Sequence, residues 1–114
     1  TDRTLQELQN AGYDHEMTHF IVTFFSKPSG GQRFVGGCML PEEHLRRAVV
    51  REFGTSRDTV RRYDKTIRQL LSDNIMLRAS RARNGDCYSL NPSVNETPPQ
   101  CQEYLRGVFE KNAN

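Results

Sequence analysis

Residues 52 to 62 read EFGTSRDTVRR, and the folding of this stretch decides what the rest of the chain can be. Gly54 stands where an apolar helical pattern stops. Thr55 and Ser56 offer hydroxyls to cap a new helix, and Asp58 falls in its first turn, where the helix dipole favours negative charge. The reading is helix, tight turn, helix.

Upstream of the turn, Pro41 suits a first helical residue, with Glu42 and Glu43 in the first turn. Leu45, Ala48, Val49 and Phe53 then lie on one side at helical spacing. Downstream, Val60, Tyr63, Ile67, Leu70 and Leu71 repeat that spacing, which predicts a helix from Ser56 to Asp73 with Val60, Tyr63, Ile67 and Leu70 turned inward. Ile75 to Arg83 and Cys87 to Leu90 read as strands. Between them Asn84-Gly85 is the favoured pair for a two-residue type I′ hairpin. In that register Ala79 opposes Leu90, Arg81 opposes Tyr88 and Arg83 opposes Asp86.

Further out, Thr4 to Asn10 forms a short helix ended by Gly12. Asp14 to Ser26 forms another, with Met17, Phe20, Ile21, Phe24 and Phe25 on its apolar face. Arg33 to Leu40 holds a short strand. Asn91 to Gln100, with three prolines, reads as a linker. Tyr104, Leu105, Val108 and Phe109 line a closing helix, packed either on the helix from Asp14 to Ser26 or on a second copy. Tyr63, Tyr88, Cys38 and Cys87 are expected to be core or semi-buried residues.

With 114 residues the chain suits one compact domain. The expected division is an arm over 1–13, a core over 14–91, and a linker with closing helix over 92–114. Apolar residues at 35% and charged residues at 26% are those of a soluble globular protein. No run approaches the length a membrane span needs, and residues 1–14 lack the pattern of a signal peptide, so an intracellular protein is expected. Cys38, Cys87 and Cys101 are odd in number and widely spaced, which argues against a disulfide framework. Residues 55–83 hold eight basic and three acidic side chains, a balance of +5 against +2 for the whole chain, so the remainder is net acidic.

The stretch PEEHLRRAVVREFGTSRDTVRRYDKTIRQLLSDNIMLRASRARNGDCYSL, Pro41 to Leu90, resembles the winged helix-turn-helix superfamily. It departs from the common pattern in having Val49-Val50 where many members place a small alanine, and Thr55 after the turn glycine. The resemblance implies an α+β, mainly α fold: a three-helix core with a C-terminal β-hairpin wing, here flanked by N- and C-terminal helices. It also implies that the helix after the turn enters the DNA major groove.

The basic residues fit that implication. Arg57, Arg61, Lys65 and Arg68 recur at helical steps on the side away from the core, where arginine can pair with guanine edges and its neighbours can neutralise phosphates. Arg62 joins this set. Ser56 and Thr59, near the helix N-terminus, suit phosphate or base-edge contacts, and Arg81, Arg83 and Asn84 at the wing can reach the flanking backbone or minor groove. The expected partner is double-stranded DNA, in the regulation of transcription or replication, with a homodimer or a larger protein complex as further partners and no membrane. Against this, Asp58 with Arg62 and Asp64 with Arg68 are i, i+4 pairs that would make part of the stripe an ordinary solvated face. A winged-helix protein-interaction module of a larger nucleic-acid-processing complex is the alternative.

Residues 15 to 19, HEMTH, match the HExxH string of zinc peptidases, in which His15 and His19 would bind metal and Glu16 would activate water. The extended motif wants a glycine and a third histidine where Val22 and Phe25 stand. Downstream candidates Glu42, Glu43 and His44 belong to the helix before the turn, and too little chain precedes His15 to build a substrate cleft. On a helical wheel His15, His19 and Ser26 lie opposite Met17, Phe20 and Phe24, on the solvent side. No phosphate loop, GxSxG or Cys/His arrangement is present. The expectation is a non-enzymatic protein with no cofactor and no metal.

Overall fold

The computed structural model describes residues 2–26, 40–81 and 85–111. The elements in order are α1 (Asp2–Asn10), α2 (His15–Ser26), β1 (Leu40–Pro41), α3 (Glu42–Phe53), α4 (Arg57–Ser72), β2 (Met76–Arg81), β3 (Gly85–Leu90), a 3₁₀ turn (Val94–Glu96) and α5 (Pro99–Lys111). The fold is α+β and mainly helical, with one antiparallel sheet of three strands in the order β1-β3-β2. No described helix is long and apolar enough to cross a membrane.

Capping explains the helix boundaries. Asp14 opens α2 by accepting the Met17 backbone N–H at 3.2 Å. Ser56 opens α4 by accepting that of Thr59 at 3.2 Å. At the end of α4, Ile75 N–H bonds Leu70 C=O at 2.9 Å and Asn74 N–H bonds Leu71 C=O at 3.2 Å, with Asn74 at φ 61°. This is the paired hydrogen bonding of a Schellman motif, and the residue beyond it, Ile75, is buried as that motif favours. Between α3 and α4 the chain turns at Gly54, whose φ of 96° and ψ of −171° lie where only glycine sits without strain.

One core joins all the elements. Leu8 and Tyr13 from the N-terminal segment, Met17, Ile21, Val22 and Phe25 from α2, Leu45 and Val49 from α3, and Tyr63, Ile67 and Leu70 from α4 are buried together. The sheet adds Leu40, Met76, Tyr88 and Leu90, and α5 adds Cys101, Tyr104, Leu105 and Val108. Burial of Tyr63, Tyr88 and Cys87 agrees with the sequence reading; Cys38 lies outside the described residues. Helix α5 lies on α1 and α2, one of the two placements expected for it. The 1–13 arm is therefore part of the core through Leu8 and Tyr13.

Several expectations are corrected. The segment from Asn91 to Gln100 is not a free linker: buried Asn91 donates to Asn74 C=O at 2.8 Å and to Glu96 Oε1 at 3.3 Å, and accepts from Ser93 N–H at 2.9 Å. Prolines set its turns, but a single polar side chain ties it to the end of α4.

The hairpin register also differs. Met76 pairs with Leu90, Ala79 with Cys87 and Arg81 with Gly85, where Ala79 opposite Leu90 was expected. Burial of Met76 and Leu90 decides this, because an odd shift in register would turn one of them out of the core. Gly85 thus pairs in the strand, at φ 69°, and is not a corner of a two-residue turn; Asn84 lies outside the described residues. Of the strand expected over Arg33 to Leu40, Leu40 pairs with Tyr88, and the remainder lies outside the described residues.

On α2 the buried face is Met17, Thr18, Ile21, Val22, Phe25 and Ser26, while Phe20 and Phe24 are partly buried. Ser26 is thus corrected from wet to buried: its hydroxyl donates back to Thr23 C=O at 3.0 Å, which satisfies it inside the core.

Candidate nucleic-acid interface

The site begins at the turn between α3 and α4. The Ser56 oxygen caps α4, and the Thr59 hydroxyl donates to Phe53 C=O at 3.2 Å, drawing the start of α4 onto the end of α3. Further along, the Tyr63 hydroxyl donates to Glu42 Oε2 at 3.3 Å while the Arg46 guanidinium lies over the Tyr63 ring at 5.4 Å. Burial and then the nearby Glu42 charge push the Tyr63 phenol far above its usual range, so it stays protonated and donates. These contacts pin the crossing of the two helices and fix which side of α4 faces out.

Thr59, expected to touch DNA, is 5% exposed, whereas Val60, expected in the core, is 48% exposed. Both assignments are corrected by one cause. Thr59 lies four residues before Tyr63 and Val60 three, so spacing permits either to point inward; the Phe53 carbonyl at the crossing supplies the partner a buried hydroxyl needs. A Ser-x-x-Thr cap pair was the available signal.

Arg62 is the second correction. Its guanidinium turns from the outer face toward α2, where Nε donates to Asp14 Oδ2 at 2.6 Å and Nη2 to Asp14 Oδ1 at 3.1 Å. Glu16 is at 3.5 Å, and the Phe53 ring lies beneath at 5.5 Å. The hydrogen bond from Arg62 holds the Asp14 carboxyl below the usual carboxylate range against the opposing effect of burial. Arg62 is thus a tie between α4 and α2, and the expected Asp58–Arg62 pair is replaced by Asp58 with Arg61.

The remaining cations of α4 face solvent. Arg57, Arg61, Lys65 and Arg68 are all exposed. Arg61 pairs with Asp58, and Arg68 Nε donates to the Asp64 backbone carbonyl at 3.3 Å. Arg57, Lys65 and Arg68 have no carboxylate partner among the described residues. Beside them a depression of about 320 Å³ is lined by Asp14, Arg61, Arg62, Lys65, Thr66 and Gln69. On α3 Arg46 and Arg47 are matched by Glu42 at 3.5 Å and Glu43 at 2.6 Å, while the exposed Arg51 has no carboxylate partner among the described residues. Ser56 is exposed at the start of α4. Arg81 carries the end of β2, paired through its backbone with Gly85; its side chain, with Arg83 and Asn84, lies outside the described residues.

Among the described residues the HEMTH helix does not converge on a metal site. The exposed His19 ring meets the Tyr104 hydroxyl through Nδ1 at 2.8 Å and packs edge-on against that ring at 5.9 Å. His15 is half-buried. Among the described residues no three His, Cys, Asp or Glu side chains come together to hold a metal ion.

No protein-family model, curated protein or solved structure matches this chain.

Proposed function

We propose that this chain is a winged helix-turn-helix protein that binds double-stranded DNA, with α4 in the major groove and the β2–β3 hairpin against the adjacent backbone, in the regulation of transcription or replication. The element order supports the fold part of this reading: a helix, a short strand, two helices joined by a tight turn, and a hairpin whose second strand pairs with the short strand.

The observation that carries the functional part is the sorting of cations on α4. The one arginine that carboxylates from another helix neutralise, Arg62, points sideways. Arg57, Lys65 and Arg68 point out with no carboxylate partner among the described residues. On α3 two of the three arginines are paired locally, as Glu42–Arg46 and Glu43–Arg47, whereas on α4 three of the five cations have no carboxylate partner among the described residues. At about 1.5 Å per residue, the 16 residues of α4 extend about 24 Å, enough to lie along a groove roughly 12 Å wide.

The test is fluorescence anisotropy with random-sequence duplexes at low salt, followed by selection of a preferred site. Binding should weaken as salt rises, and Arg61→Ala should reduce discrimination by roughly 1–3 kcal/mol if it reads a base. Absence of binding at micromolar protein would favour the docking-module reading, for which the Glu42–Arg46 and Glu43–Arg47 pairs on α3 are the supporting observation.

A further inference from the structure

The outward face between α3 and α4 carries a feature that phosphate binding does not require. Val60 is 48% exposed and Val50 of α3 is 44% exposed. Between the helices lies a depression of about 40 Å³ lined by Arg46, Val49, Val50, Thr59, Val60 and Tyr63. Its polar wall groups are already engaged: the Thr59 hydroxyl donates to Phe53 C=O, the Tyr63 hydroxyl donates to Glu42, and Arg46 pairs with Glu42. What remains to be recognised there is apolar and small. Resting on the DNA reading above, we propose that Val50 and Val60 form a methyl-reading site for the C5-methyl group of a thymine, beside the base pair approached by Arg57 or Arg61.

Size and charge select this occupant. At about 40 Å³ the depression is far below the roughly 300 Å³ or more of an ordinary ligand pocket. A depression this small suits a methyl group, and two valines fall well short of the roughly 800 Å² per partner of a stable protein interface. Val60 adjoins Arg61 and lies one turn from Arg57, both exposed cations. The partner is therefore a polyanion that displays isolated methyl groups, which in the major groove means thymine.

The experiment uses a duplex of about 20 base pairs selected by the intact chain, synthesised once with thymine and once with uracil at every thymine position, which removes only the methyl groups. The wild-type chain should bind the uracil duplex about fourfold more weakly per methyl read, as expected for loss of one buried carbon. In Val60→Ala and Val50→Ala the ratio of the two Kd values should fall toward 1, a comparison that cancels any effect of uracil on the duplex itself. Both valines are exposed, and unchanged melting of the variants verifies that they fold. Equal wild-type binding of the two duplexes, or a thymine preference retained in both variants, would overturn the methyl site while leaving DNA binding in place. Failure to recover any duplex would overturn the DNA reading and this site with it.

Discussion

Arg62 reaches across 48 residues of sequence to grip Asp14 with two hydrogen bonds, at 2.6 and 3.1 Å. Asp14 is also the residue that caps α2, so one carboxylate both starts that helix and anchors α4 to it. The contact holds the flank of α4 against the start of α2.

Removing either partner should therefore loosen the fold. Asp14→Asn, which keeps a competent cap, and Arg62→Met are each expected to cost about 1–3 kcal/mol, with a coupling of about 1 kcal/mol in the double variant. Urea denaturation of the four proteins measures this. Strictly additive losses would mean that the two side chains act independently.

The same pair makes stability depend on acid. The Asp14 carboxyl titrates below its unfolded value of about 3.9, so its stabilising contribution is present above that pH and is lost as pH falls through the lower folded pKa. The wild-type urea midpoint should drop more steeply than that of Asp14→Asn below about pH 4. Parallel curves between pH 5 and pH 2 would show that the contact contributes nothing.

Gly54→Ala should destabilise by about 1–3 kcal/mol although an added Cβ meets nothing within 4 Å. The cost lies in the backbone, at φ 96° and ψ −171°. Gly54→Asn should do no better, because that ψ is outside the left-handed helical region asparagine tolerates. Thermal unfolding would show both melting several degrees lower; an unchanged melting temperature would mean the turn relaxes.

Thr18 and Thr66 are each 1% exposed, and among the described residues their hydroxyls have no hydrogen-bond partner. Valine keeps the shape and removes the buried polar group, so Thr18→Val and Thr66→Val should each stabilise by about 1 kcal/mol. Chemical denaturation decides the sign, and a loss of stability would show that the hydroxyls are satisfied in solution.

If α4 binds DNA as proposed, Lys65→Ala and Arg68→Ala should each reduce the slope of log affinity against log salt by about 0.9. Arg62→Met should leave the slope alone, since its charge is already matched by Asp14. Titrations between roughly 50 and 200 mM salt measure this. A slope that responds to Arg62 and not to Lys65 would move the interface to the other flank of α4.

Local chemistry in the sequence was sufficient for the order of elements and for most of their ends. Gly54, the Ser56 cap and the acidic first turns of α3 and α4 act within a few residues of themselves, so they are legible without a fold. That Arg57, Arg61, Lys65 and Arg68 share one side of α4 was legible for the same reason, since helical spacing sets it.

Tertiary structure decided everything that turned on a partner far along the chain. Spacing allowed either Thr59 or Val60 to face inward; the Phe53 carbonyl chose Thr59 and left Val60 exposed beside Val50. Arg62 belonged to the same basic run as Arg61, and only its meeting with Asp14 separated a tie between helices from the outer face. The hairpin register followed burial of Met76 and Leu90 rather than the preference of Asn84-Gly85 for a turn. For Thr59 and the hairpin a local preference of a few tenths to about 1 kcal/mol was outweighed by satisfying a buried polar group or burying an apolar one, at about 1–3 kcal/mol, whereas for Arg62 an ion pair between partly exposed side chains decided it.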